Sequence, residues 1–458
     1  MSSSMNLTGN SNNEKSVLIP QADITHSDSA FTIDIVMNEA EFDALEMEWN
    51  HLVDQANIRI YQTFFWLRTW WKHFGQYADL HIVLIRNNGR LVGVAPLYLE
   101  KYSYLKIYKY RYLRMIGSTI PQKSVHMSFY KYGMSDYLDF IVQPDFEQKV
   151  ADLFIKHLQS DQCSFDIAVL LDAPTGSFIA RFLVPKLKEN NVRISVRRSE
   201  QCPYIELPDQ PDKFLKSLDS STRYKIRRSD RAVTEKKLIR IYDESSLEKI
   251  PIVLKDLIRL HQQRWHNKNE PGVFADPRYS SFLFDVSQEA AKYDYLWLIT
   301  AYHGSDCIAI NCNFEFKGRI YDYVKAFDDQ HEMSTYRPGM AILYAIIKRA
   351  IDQQIPVVDL LRGDESYKMK LTDKADTNWN IIWMDRSGSH FVKRGFHRID
   401  TFLYVKSRLF KIVLYLFKTG WKERDTTRAR YTLNFSQFIL DSVTTKLLER
   451  LNFKSVKK

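Results

Sequence analysis

The sequence predicts a mixed α/β protein made of two related halves with a helical extension behind them. Three observations carry that expectation. In residues 31–200, and again in 201–395, strand-like alternation gives way to helical periodicity and then to another strand. Each half carries turn chemistry between its first paired strands, Asn87-Asn88-Gly89 in one and His303-Gly304-Ser305 in the other. Residues 402–417 are apolar around most of a helical circumference, with Arg408, Lys411 and Lys418 gathered on one side.

A chain of 458 residues is longer than one ordinary domain. Its 45 % hydrophobic and 14 % aromatic content excludes wholesale disorder. The net charge of +10 allows an anionic partner without selecting one. Cys163, Cys202, Cys307 and Cys312 have no metal or redox spacing, and reduced thiols in a cytoplasmic protein are expected. No run reaches the roughly 20 apolar residues of a spanning helix. The polar N-terminus has no signal-peptide core.

Residues 1–30, rich in Ser and Asn, read as a disordered tail. Residues 31–37 alternate as a strand, and Asn38 is placed to cap a helix from Glu39. Residues 64–71 form an aromatic helix that Gly75 closes; aromatics this dense indicate core rather than a ligand cage. Strands are expected at 80–85, 90–99, 112–116, 137–142 and 165–171, with helices at 146–158 and 177–189. A helix capped by Ser221 stacks Arg223, Arg227 and Arg231 along one line. That line is either a solvated basic face or a phosphate-binding one. Residues 247–265 form an amphipathic helix ending at Trp265, with His261 on its apolar stripe as a core histidine.

The chemistry concentrates in 296–371. Strands at 296–302, 308–316 and 319–327 precede the turn Tyr336-Arg337-Pro338-Gly339, an apolar helix at 340–351, a strand at 357–361 and a charged loop. Two parallel strands joined by a crossover helix leave unpaired backbone groups where they part, a groove for an extended pantetheine arm. Tyr323, Val324, Lys325 and Phe327 lie on one wall. Arg337, Gly339, Met340 and Ala341 open the helix whose N-terminus suits a diphosphate. Asp364 and Glu365 are candidate bases and Tyr367 a candidate acid toward the leaving thiolate. Asp136, Arg223, Arg227, Trp265, Arg362 and Lys368 are assigned to the substrate side.

Five segments carry a family resemblance. They are Trp66-Leu67-Arg68-Thr69-Trp70-Trp71, Gly89-Arg90-Leu91-Val92-Gly93-Val94-Ala95-Pro96-Leu97-Tyr98, Asp136-Tyr137-Leu138-Asp139, Ser221-Thr222-Arg223-Tyr224-Lys225-Ile226-Arg227-Arg228 and Leu361-Arg362-Gly363-Asp364-Glu365-Ser366-Tyr367-Lys368. Over roughly residues 45–385 the chain resembles the CelD-type group of GNAT acyltransferases, which is similar to the tandem-GNAT Fem-type transferases. Arg337-Pro338-Gly339-Met340-Ala341 is a shortened form of the usual GNAT diphosphate loop.

The resemblance implies two tandem GNAT-like mixed-sheet domains, 31–200 and 201–395, followed by a helical C-terminal extension at 396–458. It implies that the second domain binds acyl-CoA, acetyl-CoA first, without a metal. The expected reaction is N-acylation of an amine on an amino sugar or cell-envelope polysaccharide precursor. The expected location is cytoplasmic, with peripheral contact at the inner membrane through the C-terminal helix as an open alternative to packing on the body. DNA is not an expected partner. A Fem-like aminoacyltransferase using charged tRNA and a non-catalytic envelope-assembly partner are the alternatives.

Overall fold

The computed structural model describes residues 30–104, 108–119, 134–160, 163–269, 272–363 and 365–384. The expected N-terminal tail and the C-terminal helix at 402–417 lie outside the described residues.

Strand β1 (Phe31–Val36) is followed by helices α1 (Glu39–Asp43), α2 (Glu46–Gln55) and α3 (Phe64–Phe74). Asn38 caps α1 as its side chain predicts, Oδ1 accepting from the Glu41 amide at 2.9 Å. Strands β2 (Ala78–Asn87) and β3 (Arg90–Tyr104) form the expected hairpin. Its turn places Asn88 and Gly89 at φ 50° and 79°, the two left-handed residues that a tight hairpin needs. Strand β4 (Tyr108–Met115) adds to β3, and the short β5 (Ile141–Val142) pairs with β3 as well. The strand expected at 137–142 shrinks to those two residues because Tyr137 turns the chain at φ 51°. Helix α4 (Glu147–Leu158) crosses to β6 (Ile167–Pro174), and a π-turn leads into α5 (Val184–Glu189).

The second half repeats this plan. After β7 (Ile194–Glu206) come α6 (Pro211–Ser217), α7 (Ser220–Thr234), β8 (Arg240–Asp243), α8 (Ile250–His266) and α9 (Pro277–Lys292). Strands β9 (Leu296–His303), β10 (Asp306–Phe316) and β11 (Arg319–Phe327) run antiparallel. Helix α10 (Pro338–Asp352) crosses to β12 (Val357–Asp359), and β13 (Ala375–Met384) follows. The cap of α7 is Asp219 rather than Ser221. Its carboxylate accepts from both the Ser221 and Thr222 amides, and an ionised acceptor bonds more strongly there than a hydroxyl.

The strands form one sheet in the order β1-β2-β3-β4-β6-β13-β7-β12-β11-β10-β9-β8. In each half, a crossover helix joins two strands that pair in parallel over three residues. Tyr112, Leu113 and Arg114 meet Ile167, Ala168 and Val169 in one half, and Arg319, Ile320 and Tyr321 meet Val357, Val358 and Asp359 in the other. Strands β7 and β13 lie between these pairs, so the last described strand is inserted between the halves.

Helix α3 is core, as its aromatics predict. Trp66 is fully buried and meets Tyr61, Phe282, Phe314 and Tyr323 edge-on, with centroids 4.8–5.6 Å apart. It thereby joins the first half to β10 and β11. A second apolar cluster on the other face packs α7 and α10 against the sheet. Gly75 does end α3, but with φ −72° rather than a left-handed turn. The reason for glycine is steric: a Cβ there would stand 2.6 Å from the Trp71 indole. Gly75→Ala is expected to cost about 1–3 kcal/mol as an overpacked site, measured by urea unfolding.

Candidate active site

The geometry of the site begins where β11 and β12 stop pairing. Tyr321 and Asp359 are their last parallel partners. On β11 the register against β10 shifts beyond Tyr321: two residues of β10 span three of β11, which bulges the strand at Asp322–Tyr323. On the other side Asp359 ends β12 and Leu361 adopts φ 58°. Both chains therefore turn away from each other within two residues. The β12-facing edge of residues 322–327 has no strand partner among the described residues.

Helix α10 starts beside that opening. Arg337 is its cap, in the left-handed region at φ 56°, ψ 63°. The Arg337 carbonyl accepts from the Met340 amide at 2.9 Å and the Ala341 amide at 3.1 Å. Pro338 has no N–H. The Gly339 amide is then the one first-turn donor without an acceptor among the described residues. It sits at the positive end of a 15-residue helix. A Cβ on Gly339 would meet only Phe327 Cδ1, at an ordinary 3.7 Å, so the protein itself does not require glycine here.

Behind β11 lies a buried polar group. Lys325 forms an ion pair with Asp322, and the Asn311 amide donates to the same carboxylate at 3.4 Å. Burial works against the charge on Lys325, but Asp322 outweighs it and holds the ammonium well above its usual range. Lys325 also lies 4.9 Å over the ring of Tyr367. Burial pushes the Tyr367 hydroxyl up to about 12, against the pull of Lys325, so it stays protonated at neutral pH.

The loop after β12 is held from both ends. Leu361 N–H donates to Asp359 Oδ1 at 2.9 Å. Gly363 has φ 121°, open only to glycine, and Asp364 lies outside the described residues. Lys368, 4 % exposed, donates to the Leu361 and Arg362 carbonyls at 3.3 and 2.6 Å and pairs with Glu365 at 2.9 Å. Burial pushes the Glu365 carboxyl up, but the Lys368 hydrogen bond, a backbone hydrogen bond and the charges of Lys368 and Lys325 together hold the group below its usual value. Lys368→Met strands two carbonyls and is expected to cost about 1–3 kcal/mol, read as a lower urea midpoint.

Arg362 crosses the seam between the halves. Its guanidinium pairs with Asp136, lies 3.2 Å from Asp172, and donates to the Ser135 carbonyl. Asp136 and Asp172 are 6 % and 5 % exposed. Burial raises the Asp136 carboxyl to about 6, with Arg362 opposing and Asp172 adding to the rise. The two acids keep Arg362 firmly charged. Below this clamp, Arg319 pairs with Asp359 at 2.6 Å and the Tyr137 hydroxyl donates to the same carboxylate at 2.9 Å. The Tyr61 hydroxyl is buried close by without a hydrogen-bond partner among the described residues.

The sequence-predicted residues thus fall into three groups. Tyr323, Val324, Lys325, Phe327, Arg337, Gly339, Met340 and Ala341 gather at the strand opening, and Glu365, Tyr367 and Lys368 border it. The Tyr323 side chain points to the first half, its hydroxyl bonding the Met134 carbonyl at 2.7 Å. Asp136 and Arg362 contact each other. Arg223, Arg227 and Trp265 stand apart from them. Arg223 donates to the Leu218 carbonyl at 3.0 Å, Arg227 is exposed, and the partly exposed Trp265 bonds His261 at the end of α8. Its neighbour Arg264 lies 4.4 Å over the Phe327 ring at the mouth of the opening. Asp172, Asp322, Asp359 and Tyr137 were not read as site residues. Only the Asp136-Tyr137 pair carried a signal, because acids spaced so far apart in sequence converge only on folding.

Residues 220–369 match the family described as "Acetyltransferase (GNAT) domain", a span that runs from α7 to the loop at Lys368. Residues 220–369 are thus a GNAT acyltransferase domain. The crystal structure of FemX is similar in fold, with a TM-score of 0.51 at 10 % identity over 78 % of this chain and 99 % of that one. The structure of L-PGS from Bacillus licheniformis aligns at 0.45, with 10 % identity over 77 % and 94 % of the two chains. A tandem GNAT protein from the clavulanic acid biosynthesis pathway aligns at 0.38, with 10 % identity over 78 % and 100 %. No curated protein matches the sequence. Among the described residues no helix is long and apolar enough to cross a membrane.

Proposed function

We propose that this GNAT-type acyltransferase moves an acyl group from acyl-CoA, acetyl-CoA first, to an amine on an amino sugar or envelope polysaccharide precursor, as the CelD-type resemblance implies. The observation that carries the reading is the parting of β11 and β12 beside the free Gly339 amide at the entry to α10. In this reading the pantetheine arm adds to the open edge at Tyr323, Val324 and Lys325, as an extended segment adds to a sheet edge. The diphosphate meets the Gly339 amide and Arg337, flanked by Phe327, Met340 and Ala341. Residues 201–395 then hold the donor, and residues 31–200 shape the acceptor side.

The amine attacks the thioester carbonyl, the C–S bond breaks, and the thiolate leaves. Glu365, kept ionised by Lys368, or Asp364 takes the proton released by the amine. Tyr367, protonated at neutral pH, donates a hydrogen bond to the departing thiolate. The Asp136–Arg362 clamp fixes the loop that carries these groups and presents a carboxylate toward the seam.

The test is a thermal-shift and mass-spectrometric screen of the purified chain with acetyl- and longer acyl-CoAs. A donor at 100 times its Kd should stabilise the fold by about 2.7 kcal/mol. No shift at millimolar acyl-CoA removes the reading. A second reading, transfer from aminoacyl-tRNA, is favoured by the basic flank of α7, where Arg228 and Lys236 lie 5.2 and 5.4 Å from the Tyr336 ring next to Arg337. It requires tRNA binding that weakens steeply with salt.

A further inference from the structure

We propose that His81, His157 and Cys163 form a zinc site that fastens α4 to the sheet, at the far side of the molecule from the acyl-transfer opening. His81 lies on β2, and His157 is in the last turn of α4. Cys163 lies five residues beyond the end of α4. Ser160 N–H and Oγ both donate to the His157 carbonyl, at 3.0 and 2.8 Å, and Cys163 N–H donates to Ser160 O at 3.2 Å. The backbone thus delivers the thiol to the same place as the His157 ring.

All three side chains are buried, at 2 %, 3 % and 5 % exposure. Their ligand atoms lie within 4.8 Å of one another. The two Nε2 atoms face each other at 3.2 Å, with the rings 5.4 Å apart and tilted by 27°. Two nitrogens bound to one tetrahedral zinc at 2.0–2.1 Å stand roughly 3.3 Å apart, so the observed spacing needs almost no adjustment. A proton shared between the imidazoles accounts for that distance equally well, but it gives no reason for a thiol to converge on the same point. Two imidazoles and a thiolate are a donor set that zinc favours over magnesium or calcium. The described residues supply three ligands, leaving a fourth position for water or another donor.

The location argues for a fastening role rather than a part in acyl transfer. Strands β3, β4, β6, β13, β7 and β12 separate β2 from β11. Helix α4 is the crossover between the parallel strands β4 and β6, and the metal would pin its C-terminal end. No local pattern announces the site, since His81 is 76 positions from His157 and no Cys-x-x-Cys pair frames it.

The full chain, produced without an affinity tag in zinc-supplemented medium, is tested by elemental analysis and by cobalt substitution. About one zinc per chain is expected. Cobalt added to chelator-treated protein should give a thiolate-to-cobalt charge-transfer band. Removing the metal should lower the melting temperature, and zinc should restore it. Cys163→Ser should abolish the band, and His157→Gln should lower zinc retention about tenfold or more, whereas His261→Gln, a half-buried histidine elsewhere, should leave both unchanged. Wild-type protein with no zinc, no cobalt band and no zinc-dependent melting shift overturns the proposal. That outcome does not depend on any variant folding.

Discussion

Arg362→Met is expected to lower stability by about 3–5 kcal/mol, the cost of leaving buried carboxylates without their cation. Asp136 and Asp172 face the guanidinium from the first half, while Arg362 stands on the loop after β12. The substitution therefore unties the seam as well as a side chain. Urea unfolding should show the loss as a reduced midpoint. Arg362→Lys should recover only part of it, because a single ammonium cannot reach Asp136, Asp172 and the Ser135 carbonyl in one geometry. An Arg362→Met protein as stable as the parent would mean that the clamp carries no net stability and that the halves are held by apolar contacts such as Trp66 alone.

Gly339→Ala should separate donor binding from folding. Its Cβ meets only Phe327 at 3.7 Å, and the residue lies in the first turn of α10 without a positive φ. Such a change stabilises a helix by about 0.4–1 kcal/mol through the unfolded chain. If a diphosphate lies against this amide, the added methyl group stands between backbone and ligand. The KM for acyl-CoA should then rise about tenfold or more, a loss of about 1.4 kcal/mol in binding, while the melting temperature holds or rises. Unchanged donor affinity would place the diphosphate elsewhere.

The second half was legible because its elements are locally complete. Strand β11 follows β10 across the Lys317-Gly318 turn, and α10 announces its start with Arg337-Pro338-Gly339. The repeat was legible for the same reason, as two hairpins each followed by a crossover helix. The seam was not. Strand β7 carries Val196, Arg197 and Arg198 on consecutive exposed positions before Cys202 is buried, so no period of two marks it. Strand β13 is half-exposed along most of its length, and its partners lie far away in sequence. Helix α9 has no counterpart among the expected elements, although Asp276 caps it and Pro277 opens it at the first helical position, where proline is tolerated. The charges that meet at the seam, Asp136, Asp172, Arg319, Asp359 and Arg362, had no shared local pattern. Their pairing comes from the tertiary arrangement.

The central claim is that an extended acyl-CoA arm pairs with the open edge of β11. Hydrogen exchange read at single amides, with and without saturating acetyl-CoA, tests it most directly. The amides of residues 322–327 that do not bond to β10, together with Gly339, should exchange more slowly with the ligand, while β2 and β3 of the first half stay unchanged. Equal exchange at residues 322–327 and Gly339, under conditions where acetyl-CoA is bound, would contradict the account.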